Sequence, residues 1–224
     1  MDQHFQIATK KVILSVLTCS LLLTTGFARG EAYDGKGVKH YLKKYSGVEI
    51  SAVQENRLTD YDYLIDYFCE FDFFAPKHKV NPDFLRALIL AESAGIPQAR
   101  SQKDARGLTQ IIYATGKQAA HEILELNIEF QFASVHKLRK LKPDDLYDPA
   151  INILLACYLI AKYNHSFDGK LDLVVSAWNA GENSIVNNTP PNYSETLDLI
   201  GKVNGFYISL LKKNSRMQRY AYRR

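Results

Sequence analysis

The sequence predicts a mainly α-helical protein, on three observations. From Tyr61 onward apolar residues recur at helical spacing: Tyr61, Leu64, Ile65, Tyr67, Phe68 and Phe71. Two segments open with a cap followed by proline, Asn81-Pro82 and Asp148-Pro149. Only Leu108-Thr-Gln-Ile-Ile112 reads as extended.

Taken in order, residues 29–57 are polar and glycine-containing, with no sustained period, and read as an extension with little packing of its own. A helix then starts with Thr59 or Asp60 as its cap, and its aromatic stripe reads as core. The next helix runs from Asn81 to Ser93 or Ala94 and stops at Gly95-Ile-Pro97. Residues 98–113 are loop and turn material leading into the extended stretch. A helix follows from Thr115 to Asn127, then a polar stretch to Leu146. The helix after Asp148 spans Ala150 to Tyr163 and is apolar on nearly all sides, so it is expected to be buried and central. Helices from Leu171 to Ala180 and from Ser194 to Leu211 complete the chain, separated by Pro190-Pro191.

The 224 residues allow one domain, or two small ones, and can bury a core without staples. A net charge of +4 lacks the basic footprint of a dedicated nucleic-acid binder. Three cysteines exclude a disulfide scaffold, and the glycine and proline counts exclude a fibrous chain. Lys10-Lys11, an apolar run from Val12 to Leu23 and small residues at Gly26/Ala28 or Gly30/Ala32 form a signal peptide, taken as residues 1–28. An uncleaved anchor is the alternative, and Thr18 before Cys19 matches a lipoprotein site poorly. Export is expected, into the periplasm of a Gram-negative bacterium. Cys69 and Cys157 would then face an oxidising compartment, either as buried thiols or as a bridge. The histidines (His4, His40, His78, His121, His136, His165) lack ligand spacing and read as solvated or turn positions, so no metal or other cofactor is expected. The tail from Lys212 to Arg224 carries six basic residues and no acid, which suits either peripheral contact with anionic wall or membrane, or plain solvation.

Glu92 stands out before any family is considered. With Phe84 set at 0°, Leu88 falls near about 40°, Leu85 near 100°, Ile89 near 140° and Glu92 near 80°, amid the apolar stripe. Such a carboxylate is partly desolvated and lies in the last turn, where the helix dipole disfavours negative charge. Both effects raise its pKa, as a general acid requires. The plain alternative is a glutamate at a fraying helix end that reaches back to solvent.

Glu92-Ser93, Ser101, Gly107-Leu108-Thr109-Gln110-Ile111 and Ala177-Trp178-Asn179-Ala180-Gly181, in this order, resemble the soluble lytic transglycosylase domain family of the lysozyme-like superfamily. The resemblance covers roughly residues 60–205, with an insertion near 128–146, and frames a catalytic domain over 58–211. It implies a lysozyme-like, goose-type helical fold with a short hairpin-like segment lining the cleft. Thr109 stands where the family usually has Met, and Trp178 where it has Tyr. Leu199 stands where it often has a Tyr that hydrogen-bonds the acid, which would leave that acid short of a partner unless Tyr193 substitutes.

By this resemblance Glu92 is the single catalytic acid, cleaving the glycosidic bond of peptidoglycan to leave a 1,6-anhydro end. The substrate-binding residues it implies are Ser93, Ser101, Gly107, Gln110, Tyr113, Trp178, Asn179 and Tyr193, with glycan strands as the partner and a monomer as the working form. A lysozyme-type hydrolase with Asp104 as second carboxylate is the rival enzyme, though an exposed turn aspartate explains Asp104 better. A wall-binding module that merely retains the fold is the third reading.

Overall fold

A computed structural model describes residues 36–221, with side chains from 37 to 215. The expected signal peptide, its cleavage sites and Cys19 lie outside the described residues. The mainly helical class is borne out: the elements are α1 (Lys36–Lys44), α2 (Ala52–Thr59), α3 (Asp62–Cys69), α4 (Pro82–Ser93), β1 (Ala105–Arg106), β2 (Ile111–Ile112), α5 (Tyr113–Glu125), α6 (Val135–Arg139), α7 (Pro149–Phe167), α8 (Leu171–Ala180) and α9 (Ser194–Ala221).

α7 is the axle. Asp148 caps it by accepting from the N–H groups of Ala150 (2.9 Å) and Ile151 (3.5 Å), and every residue from Ile151 to Ala161 is buried. It packs against α3, α5 and α8. α4 begins as its sequence predicts, with Asn81 Oδ1 accepting from Asp83 N (2.9 Å) and Phe84 N (3.1 Å). It ends with Ala94 and Gly95 both at positive φ.

Three expectations need correction. Thr59 and Asp60 do not cap α3: Thr59 ends α2, whose own start is a capping box between Ser51 and Gln54, and α3 follows Tyr61 without a side-chain cap. The stretch before Leu146 contains α6 and a 3₁₀ turn at Pro143–Tyr147, held by buried Leu138, Leu141 and Leu146, whose apolar residues are too sparse to show a period. α9 continues to Ala221 rather than ending at Leu211. Its extension is tied down by Lys213 on Glu55 (2.7 Å) and by Asn214 Nδ2 donating to Asp83 (2.8 Å).

The reading of 29–57 as loosely packed is wrong for α1. Val38, Tyr41, Leu42 and Tyr45 recur at i, i+3, i+4 and i+7, and α1 lies along α9. Two glycines one turn apart on α9 let it in. A Cβ on Gly201 would stand 2.6 Å from Tyr41 O, and one on Gly205 2.5 Å from Tyr45 O. Each glycine costs about 1 kcal/mol of helix propensity relative to alanine, which the close packing offsets. Asp198, one turn before Gly201, accepts from Lys44 Nζ (2.6 Å) and Tyr45 Oη (2.9 Å). Gly201→Val should therefore lift α1 off α9 at a cost of about 2 kcal/mol. Hydrogen exchange would show it as lost protection across 36–45 with α4 and α7 unchanged.

Candidate active site

The cleft forms where the C-terminal end of α4, the β1–β2 hairpin, the middle of α7, the end of α8 and the start of α9 converge. It is a half-open cavity of about 390 Å³ whose lining includes Glu92, Ser101, Gln110, Tyr163, Trp178 and Asn179. The hairpin is antiparallel, with Ala105 opposite Ile112 and Arg106 opposite Ile111. Leu108–Gln110 are not extended as expected. They complete a turn that Gly107 opens at φ +82° and Gln110 closes at φ +55°, leaving only Ile111 and Ile112 in the strand.

Glu92 is half-buried at the last turn of α4, as its place on the apolar stripe predicts. Trp178 Nε1 donates to its Oε1 at 3.0 Å. Burial raises its pKa from 4.5 to about 7; the Trp178 bond and the charge of Lys202 pull it down, and the charge of Glu195 pushes it up. Desolvation wins. A carboxyl with this value is protonated often enough near neutrality to give a proton, and ionised often enough to take one back.

The structure brings four of the expected binding residues to Glu92. Ser101 Oγ accepts from Lys103 N (3.2 Å) and Ala105 N (3.1 Å), leaving its own O–H to donate. Gln110 spends its amide nitrogen on Ala99 O (3.1 Å) and Gly107 O (2.8 Å), leaving its oxygen as an acceptor. Asn179 Oδ1 accepts from Thr196 Oγ1 (2.6 Å), leaving its NH₂. Trp178 contributes the indole edge that holds Glu92.

Ser93, Gly107, Tyr113 and Tyr193 are placed elsewhere. Ser93 is buried and donates to Leu108 O (2.6 Å), fastening the hairpin to α4. Gly107 is a backbone device: a Cβ there would lie 2.2 Å from Leu146 O and 2.4 Å from Asn152 Nδ2. Tyr113 donates to Leu141 O (2.9 Å), behind the cleft wall. Tyr193 is exposed and does not reach the acid. Leu199 is buried in the core and offers no hydroxyl, so the partner it was expected to leave missing is supplied by Trp178.

Asp104 is not part of the lining. It accepts from Arg100 Nε (2.6 Å) and from Arg106 (3.0 Å), and the Arg100 bond is the leading cause that holds its carboxyl below the ordinary range. Several lining residues escaped the sequence reading, among them Lys103, Thr115, Leu159 and Tyr163, whose hydroxyl burial pushes up to about 12. Glu195, at the start of α9, lines the cleft too. Glu195 is paired with Lys103 at 2.6 Å. One histidine departs from expectation: His78 is buried, and its Nδ1 meets that of exposed His165 at 3.2 Å.

A helical scaffold that holds one desolvated carboxyl, steadied by a single N–H, in a cleft of mixed polar and apolar lining defines an enzyme of the general acid–base class. The family description "Transglycosylase SLT domain" matches residues 71–197, and the chain belongs to that family. It is 26% identical over 212 residues to membrane-bound lytic murein transglycosylase E of Buchnera aphidicola subsp. Acyrthosiphon pisum (strain APS), covering 92% of this chain and 86% of that protein. Two solved structures are similar over part of the chain. One is an inactive mutant of lytic transglycosylase Slt from Pseudomonas aeruginosa (25% identity, TM-score 0.46, 60% of this chain). The other is the 70 kDa soluble lytic transglycosylase of Escherichia coli (20% identity, TM-score 0.49, 63% of this chain). The chain spans 22% and 23% of those two chains.

Proposed function

We propose that this protein is a peptidoglycan lytic transglycosylase that cleaves the β-1,4 bond between N-acetylmuramic acid and N-acetylglucosamine without water. Glu92, protonated, gives its proton to the glycosidic oxygen as that bond breaks. The carboxylate so formed takes the proton of the muramyl C6 hydroxyl while its oxygen closes a 1,6-anhydro ring on C1. The nucleophile belongs to the substrate, so the enzyme need only hold it in place. The observation that carries this reading is the single high-pKa carboxyl in the cleft, with the neighbouring acids committed to cations: Asp104 to Arg100 and Arg106, Glu195 to Lys103. A second carboxylate free to activate water is what a hydrolase would need.

Ser101, Gln110 and Asn179 offer a donor, an acceptor and a donor to the acetamido and hydroxyl groups of the glycan. Export to the periplasm, residence as a monomer and peripheral contact through the basic end of α9 complete the proposal. Among the described residues no helix is long and apolar enough to cross a membrane. Mass spectrometry of muropeptides released by the purified protein tests the reaction. Anhydro-muramyl ends are expected, and reducing ends would sink it in favour of hydrolysis.

Trp178→Phe isolates the hydrogen bond to Glu92, because an aromatic ring remains and the N–H is lost. The N–H favours the ionised carboxyl, so without it the pKa of Glu92 rises further. Activity that depends on the protonated acid should then decline at a higher pH than in the wild type. The rate at optimum should fall about tenfold, the weight of a hydrogen bond to a charged group. An unmoved alkaline limb would show that the indole does not act on the acid.

A further inference from the structure

Cys69 is the last residue of α3 and Cys157 lies in the middle of α7. Both are buried thiols, and their sulfurs meet at 3.9 Å although 88 positions separate them in sequence. We infer that Cys69 and Cys157 are a disulfide site, closed while the chain folds in the presence of a disulfide-bearing oxidant and thereafter sealed inside the core. The inference stands apart from the proposed reaction, so its failure leaves the role of Glu92 untouched.

The geometry asks for little. A disulfide holds its sulfurs about 2.05 Å apart, so the two, at 3.9 Å, must approach by roughly 2 Å. No other cysteine competes among the described residues. The chemistry balances as two exchanges. The Cys69 thiolate attacks one sulfur of the oxidant and expels its partner as a thiolate, leaving a mixed disulfide. The Cys157 thiolate then attacks the Cys69 sulfur and expels the second. The two protein thiols give up two protons and two electrons, and the oxidant leaves as two thiols.

Burial decides when this happens. The core pushes the Cys157 thiol well above its ordinary range, because a thiolate there has no water around it. The native chain therefore exchanges slowly, and oxidation belongs to a partly folded state. The same burial then shields the bond from reductants, which makes it a staple rather than a switch. What it staples bears on the cleft. Leu159 and Tyr163, in the turns of α7 that follow Cys157, line the cavity that holds Glu92, and the bond would fix that stretch to α3.

The test uses the full chain with Cys19→Ser, so that Cys69 and Cys157 are its only thiols. The protein is refolded from denaturant with glutathione disulfide, and separately with a thiol reductant. With the oxidant, thiol titration in denaturant is expected to find none free, and a non-reduced digest to contain one peptide pair joined through Cys69 and Cys157. The oxidised form should melt roughly 5–15 °C above the reduced form. The reduced native protein, given the same oxidant without unfolding, should keep both thiols for hours. Free thiols or glutathione adducts after oxidative refolding would overturn the inference, as would a linked form no more stable than the reduced one. Rapid oxidation of the native protein would overturn the staple. Both redox forms are the same chain, so the comparison needs no core substitution.

Discussion

Glu92→Gln is expected to lower wall-lytic activity by about 10²–10⁴-fold, the usual weight of a general acid, while raising stability above neutral pH. The amide fills the space of the carboxyl and still accepts from Trp178, but it can neither give nor take the proton. The stability change follows from where the wild-type proton sits. Between pH 4.5 and about 7 the folded protein keeps a proton on Glu92 that the unfolded chain has released. Wild-type stability therefore falls as pH rises through that window, and above it the full cost of the buried charge is present. The move from 4.5 to about 7 corresponds to about 3 kcal/mol at most, and water in the half-open cleft brings the expected figure to about 1–3 kcal/mol. The uncharged amide carries none of it. At pH 8 the variant should melt above the wild type by several degrees, about 2–4 °C per kcal/mol, and at pH 4 the two should coincide. Equal lytic activity in variant and wild type would end the catalytic reading and favour a wall-binding role. Equal melting at pH 8 would mean that Glu92 is not desolvated.

The residues that announce themselves in sequence are those whose signal is local. Asn81-Pro82 and Asp148-Pro149 start α4 and α7 because a cap and a fixed φ act within one turn. Glu92 is legible for a related reason: its neighbours at 3, 4, 7 and 8 positions before it are apolar, so the helix carries it inward whatever lies opposite. The remainder depends on surfaces that meet across long separations. Gly201 and Gly205 look like weak points in α9 until α1 is seen against them. Trp178 and Tyr193 look like equal candidates for binding substrate, yet one edge is turned to Glu92 and the other ring faces solvent. Tyr163 points from an all-round buried helix into the cleft, and no period distinguishes a core face from a cleft face on such a helix. Asp104 could be weighed only as an acid near the right place, because its arginine partners come from both sides of a turn at φ +62°.

Asn152→Ala should be the most damaging single change outside the acid itself. Asn152 is fully buried on α7, in a helix that is otherwise apolar there. All four of its bonding positions are used. Nδ2 donates to Arg106 O (3.0 Å) and Leu146 O (2.9 Å), and Oδ1 accepts from Thr109 N (2.9 Å) and Thr109 Oγ1 (2.7 Å). One side chain thus ties both arms of the hairpin turn and the 3₁₀ turn before α7 to the central helix. Alanine removes the ties and takes the Asn152 bond from two carbonyls, an N–H and the Thr109 hydroxyl in a site closed to water. At about 1–3 kcal/mol for each group left unsatisfied, and with some relaxation, a loss of about 3–5 kcal/mol is expected, or roughly 10 °C in melting temperature. The effect on catalysis should exceed what unfolding explains. The freed hairpin carries Ser101 and Gln110 away from the cleft and admits water to Glu92, so the pKa of the acid should fall toward 4.5 in the fraction that remains folded. Gly107→Ala should reproduce the hairpin release by a different route, since its Cβ would occupy the space of Asn152 Nδ2 and Leu146 O. If either variant kept wild-type amide protection at residues 105–112 and an unmoved pH profile, the cleft wall would not depend on the Asn152 tie.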